Sequence, residues 1–160
     1  MLRPLVARPL AATCALIALS LPAAAQQKMT WHTQEGADSA ALVFGVPETE
    51  QALVFFICKP GTDEVTAQSQ IGSKGLEREA AARLILTAGS VKKTLDGKAV
   101  GSEEGTNVDV EAPVKLADVK ALIKAGGTLG IEVKGAKQKV SLTGAAAAFT
   151  QFEAACKPKS

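Results

Sequence analysis

The sequence predicts a mainly β domain: a β-sandwich or partly open antiparallel barrel with one short helix and a C-terminal helix packed on the sheet, α+β by strict count. Three observations predict it. Short runs alternate apolar and polar residues with period two. Gly, Pro, Asn and Asp break these runs every 8–12 residues, the spacing of all-β folds. Helical spacing of apolar residues occurs in only two stretches.

The chain opens MLRPLVARPLAATCALIALSLPAAAQQ, with Arg3 and Arg8 ahead of an uncharged run from Leu10 to Leu21 and then Ala23-Ala24-Ala25. This order of positive region, apolar core and small residues predicts a secretory signal peptide over 1–25, cleaved after Ala25. The apolar run is shorter than the roughly 20 residues that span a bilayer. Most of it follows Cys14, which argues against lipidation there. Residues 26–160 are then expected to form a single domain, periplasmic or secreted, of a length that supports a real core.

Within it, Ser39–Val46 alternates Ala40, Leu42, Phe44 and Val46 against Ala41, Val43 and Gly45. Pro47-Glu48-Thr49-Glu50 turns it into Ala52–Cys58, so the two form a hairpin. Ala52–Cys58 is apolar on both faces, the pattern of a central strand buried on two sides. Lys59-Pro60-Gly61-Thr62 is a turn. Glu64–Ile71 alternates Val65, Ala67, Ser69 and Ile71 inward with Glu64, Thr66, Gln68 and Gln70 outward. Arg83–Ala88 is a further strand, and VKKTLDGKAV reads as a hairpin turning at Asp96-Gly97. Ser102–Thr106 is a polar loop. Val108, Val110 and Ala112 mark a strand that Pro113 closes. Leu116, Val119, Leu122 and Ile123 predict a short helix ending at Gly126-Gly127. Leu129, Ile131 and Val133, then Val140 and Leu142, form a strand pair around Gly135. Ala145, Phe149, Phe152 and Cys156 share one face of the last helix, which Pro158 stops. The count is eight or nine strands.

Charge excludes some function classes. Without the leader's two arginines, 16 Lys+Arg face 16 Asp+Glu, so residues 26–160 are neutral overall. Nothing in that balance calls for nucleic acid or a membrane surface. The halves differ: 26–114 holds 8 basic and 13 acidic residues, and 115–160 holds 8 basic and 3 acidic. This asymmetry reads as two halves that complement each other or as a lysine-rich face for an anionic partner. Lys115, Lys120 and Lys124, on the polar side of the first helix, are the candidates for such a face, with Trp31 and His32 as further candidate partner contacts.

Beyond the leader only Cys58 and Cys156 remain. Exported cysteines meet an oxidising compartment, so the two are expected to pair. Cys58 ends a buried strand and Cys156 lies on the buried face of a helix, which brings both to one core edge. The alternative role for Cys58, a reactive thiol beside His32, requires it to stay unpaired.

Catalytic raw material is scarce. His32 is the single histidine, and it reads as an edge-strand residue. No His, Cys or carboxylate spacing fits a metal site, and Glu103-Glu104 is too sparse for a calcium loop. No nucleophile elbow, phosphate loop or dinucleotide fingerprint is present. Ser73, Ser90 and Ser102 have no base beside them. The chain contains no tyrosine and one tryptophan, which disfavours ligand stacking on exposed aromatics. No catalytic, cofactor or metal residue is therefore assigned.

The blocks ALVFGVPETEQALVFFIC, IKAGGTLGIEV and VSLTGAAAAFTQFEAAC resemble small secreted proteins of Gram-negative, alphaproteobacterial type. The last, a strand leading through glycine into an alanine-rich helix, resembles the invasion-associated locus B group. The resemblance implies an exported β-rich domain tied to envelope or host interaction, without known catalysis. The leading expectation is a non-catalytic binding or interaction module of the bacterial envelope, its partner an unknown protein or envelope component. A lysozyme-inhibitor-like protein is the second reading, with AGSVKKT as the inserting loop although it lacks a tyrosine. A small hydrolase-type enzyme is the third.

Overall fold

The computed structural model describes residues 28–101 and 108–157. The expected leader with Cys14, the expected loop at 102–106 with Glu103-Glu104, and Pro158 lie outside the described residues. Nine strands and two helices follow in the order β1 Thr30–Glu35, β2 Ala40–Gly45, β3 Ala52–Cys58, β4 Glu64–Ser69, β5 Ala81–Ala88, β6 Val91–Val100, β7 Asp109–Lys115, α1 Leu116–Ala125, β8 Thr128–Val133, β9 Ala136–Ser141 and α2 Ala145–Cys156.

All strands join one antiparallel sheet in the order β1-β2-β3-β4-β7-β6-β5-β8-β9. The sheet curls until its first and last strands come within side-chain reach. The Trp31 Nε1–H of β1 donates to the Ser141 carbonyl of β9 at 2.7 Å. The Thr33 hydroxyl donates to the Ala148 carbonyl of α2 at 2.8 Å. Of the two expected architectures, the chain therefore takes the curled, partly open one.

Alternation places the core on the inner face. Val54, Phe56 and Cys58 of β3, Val65 and Ala67 of β4, Val110 and Ala112 of β7, Leu84 and Leu86 of β5, and Leu129 and Ile131 of β8 are all buried there. The helices cover this face. Helix α1 inserts Val119, Leu122 and Ile123, and α2 inserts Ala145, Ala148, Phe149, Phe152 and Cys156. Helical spacing picks out all of these but Ala148, and also Leu116, which is half-buried, because only one stripe of each helix can face the sheet.

Three expectations are corrected. First, VKKTLDGKAV does not turn at Asp96-Gly97. It is the single ten-residue strand β6, paired with β5 from Ala81↔Lys98 to Ala88↔Val91. Gly97 serves close approach instead: a Cβ there would lie 2.7 Å from the Ala112 Cα of β7. The turn falls at Gly89, whose φ of +53° favours glycine. Second, Pro113 does not close β7, which runs on to Lys115. Pairing with β6 ends at Glu111, so β7 is a free edge on that side and tolerates proline. Third, β3 is buried on one face only. Leu53, Phe55 and Ile57 are half-exposed on the outer face, because both helices lie on the inner one.

Candidate binding surface

The two cysteines meet as expected. Cys58 and Cys156 form a disulfide with Cα atoms 5.8 Å apart, inside the usual range for such bridges. A backbone bond from Gly61 N–H to the Cys156 carbonyl, 2.8 Å, fixes the same junction. Cys58 is thus a structural clasp, with no thiol left for chemistry.

The five candidate contacts do not converge. Trp31 is 7% exposed, tilts on Phe44 with ring centroids 5.3 Å apart, and spends its N–H on Ser141. It offers no indole face to a partner. His32 stands on the outer face of β1. Its Nδ1 lies 3.1 Å from the Thr30 carbonyl and its Nε2 lies 3.2 Å from the Gln34 amide nitrogen. No carboxylate among the described residues lies within ion-pair distance of it.

The lysines of the first helix divide. Lys120 Nζ sits 2.6 Å from Glu153 Oε1 and ties α1 to α2. The Lys120 hydrogen bond holds the Glu153 carboxyl below the usual carboxylate range, with weaker help from the charges of Lys120, Lys157 and Lys124. Lys115 lies at the far end of β7, opposite Glu64. One carboxylate therefore already sits among the cations expected to form a free face.

Among the described residues no three His, Cys, Asp or Glu side chains gather as metal ligands. The Ser73 hydroxyl donates to the Val108 carbonyl at 2.7 Å. Asp109 has its carboxyl pushed up by burial, partly offset by the backbone of Gly72.

The outer face of β5, β8 and β9 carries recesses. Three shallow, open depressions of about 570, 400 and 250 Å³ adjoin there. The middle one shares Arg83 and Lys134 with the largest, and Ile85, Glu132 and Lys137 with the smallest. Strand register orders this face into rows. One runs Asp96–Arg83 and on toward Lys134. The next is Thr94–Ile85–Glu132–Lys137 and the third Lys92–Thr87–Gly130–Lys139. Arg83 pairs with Asp96 at 3.1 Å, Lys137 with Glu132 at 2.9 Å, and Lys134 donates to the Gly75 carbonyl at 2.8 Å. Lys92 and Lys139 have no carboxylate within ion-pair distance among the described residues. Both acids of the face are engaged by cations, and the face as a whole is positive.

None of these residues was singled out from sequence. The signal was there: in TLGIEVKGAKQKV, Gly130, Glu132, Lys137 and Lys139 alternate with the inward Leu129, Ile131, Val133 and Val140. Comparison with protein-family models, curated proteins and solved structures returns no match to this chain.

Proposed function

We propose that the protein is an exported, non-catalytic binding module of the bacterial envelope, and that it binds through the outer face of β5, β8 and β9. The observation that carries this reading is the clustering of adjoining open recesses on one positive face. A clasped core and a charged outer sheet face suit a scaffold that presents a surface. The disulfide is compatible with an oxidising compartment. No helix among the described residues is long and apolar enough to cross a membrane. The resemblance to the invasion-associated locus B group supports the same reading.

The lysozyme-inhibitor reading requires a projecting loop near Ser90. Gly89-Ser90 forms a tight turn between β5 and β6, and a Cβ on Gly89 would lie 3.6 Å from the Ala125 Cβ of α1. The hydrolase reading requires His32 beside a carboxylate. The binding reading is favoured on both counts.

Immobilised protein should retain a component from envelope extracts. Lys134→Glu/Lys137→Glu should abolish retention while His32→Ala leaves it intact. Loss with His32→Ala in a folded protein, with the charge-reversed variant still binding, would overturn the assignment of this face.

A further inference from the structure

We propose that the row Lys92–Thr87–Gly130–Lys139 seats one tetrahedral oxyanion, a phosphate or sulfate ester carried on an anionic envelope glycan. This rests on the binding-module reading above and names the chemistry of its ligand.

The row is contiguous by register: Lys92 pairs with Thr87, Thr87 with Gly130, and Gly130 with Lys139. Three inter-strand steps of about 4.8 Å put the lysine Cα atoms about 14 Å apart. A group seated midway, between Thr87 and Gly130, lies about 7 Å laterally from each. A lysine stem of five bonds reaches about 6 Å from its Cα, so both ammonium groups can close on that group.

Gly130 lets the Thr87 hydroxyl lie across it. A Cβ there would stand 2.5 Å from Thr87 Oγ1, so any side chain would collide with the threonine hydroxyl or displace it. That hydroxyl is half-exposed and has no hydrogen-bond partner among the described residues, which leaves it able to donate to an oxyanion. The nearest acid, Glu132, is engaged by Lys137 at 2.9 Å. Two cations without acid partners among the described residues, and a hydroxyl between them on the floor of an open depression lined by Thr87, Gly130 and Lys139, are complementary to an ester oxyanion.

The carrier follows from the shape and composition of the face. The outer side of a curled sheet is convex, so a planar bilayer touches it along a narrow line, whereas a single chain can follow a row across four strands. Half-buried Ile85 and Leu76 are the large outward apolar side chains lining the recesses, besides alanines and inward-facing Ile131 and Val133, too little for insertion into lipid. The single tryptophan is buried and tyrosine is absent, so bases have no stacking partner. A glycan read by its ester charge, with its sugar rings unread, remains.

Amide chemical-shift titration of the oxidised protein tests this with dextran sulfate, neutral dextran, inorganic phosphate, single-stranded oligonucleotide and vesicles of anionic phosphatidylglycerol. Dextran sulfate and phosphate should shift Thr87, Gly130 and Lys139, and neutral dextran should shift nothing. Lys92→Gln/Lys139→Gln should weaken dextran sulfate binding by about tenfold. Lys120→Gln/Lys124→Gln should leave it within about twofold, being away from the row. Shifts spread over the α1 and α2 lysines, equal losses in the two double variants, or tighter binding of vesicles or oligonucleotide would each overturn the proposal. If Lys92→Gln/Lys139→Gln leaves dextran sulfate binding unchanged while Lys134→Glu/Lys137→Glu still abolishes envelope retention, the oxyanion seat fails and the binding face stands. If the row titrates but the extract yields nothing, the envelope-module reading fails and the seat stands.

Discussion

Helices α1 and α2 lie side by side on the same inner face, yet they are held there by different means. Helix α1 carries Asp118 in its first turn and Lys124 in its last, charges of the sign that each end of the helix dipole favours. Asp118 also holds Lys93 of β6 at 2.6 Å. Helix α2 has no acid in its first turn, no base in its last, and a glycine without a side-chain cap at its start. Its anchors come from elsewhere: the Cys58–Cys156 bond, Thr33 on Ala148, Lys120 on Glu153 and the two buried phenylalanines. One helix is written into its own sequence, and the other is imposed by its surroundings.

The largest test of that difference is to remove what surrounds α2. Phe152→Ala should cost about 3–5 kcal/mol in denaturant melts, as for other fully buried phenylalanines. Reduction of the disulfide should cost about 2–5 kcal/mol. Hydrogen exchange on the reduced protein should show α2 amides losing protection first, with α1 amides unchanged. Equal loss in both helices would erase the distinction.

A smaller effect separates the helices by pH. Glu153 has a depressed pKa when folded, chiefly through Lys120. Its contribution is therefore present above its ordinary value of 4.5 and disappears as the pH falls through the lower folded value. Lys120→Met should cost about 0.2–1 kcal/mol at neutral pH, the scale of partly exposed pairs, and flatten the acid limb of the stability curve. Asp109 works in the opposite sense: burial raises its pKa, so acidification relieves a cost there, and Asp109→Asn should not lower stability at neutral pH.

The smallest test supplies what α2 lacks. Ala147 is exposed in its first turn, and Ala147→Glu should add about 0.3–1 kcal/mol through the helix dipole. Asp118→Ala in α1 should subtract a similar amount. Paired thermal melts of the two variants compare the helices directly.

Legibility in the sequence follows the same division between local and imposed order. The β2–β3 hairpin, the β4 alternation and both helix faces are periodicities within one segment, and each could be read from the chain alone. So could the disulfide, since two cysteines admit one pairing. Asp96-Gly97 misled because a local turn signature yielded to pairing on both sides of β6. The outer face of β3 misled because apolar residues on both faces say nothing of what covers them. The Lys92–Lys139 row was out of reach for another reason. It depends on β5 and β8 being neighbours although β6, β7 and α1 intervene in the chain, and no local pattern encodes that adjacency.

The clasp between β3 and α2 also bears on the order of events during synthesis. Cys58 and Cys156 are 98 residues apart, and every strand from β4 to β9 lies between them. A vectorial process that delivers the chain from its N-terminus presents Cys58 long before its partner. Oxidation to the native pair must wait until all six intervening strands have emerged. The bond thus acts as a record of complete delivery: a chain stalled anywhere before α2 keeps a reduced Cys58, open to thiol-trapping reagents, and a finished one does not.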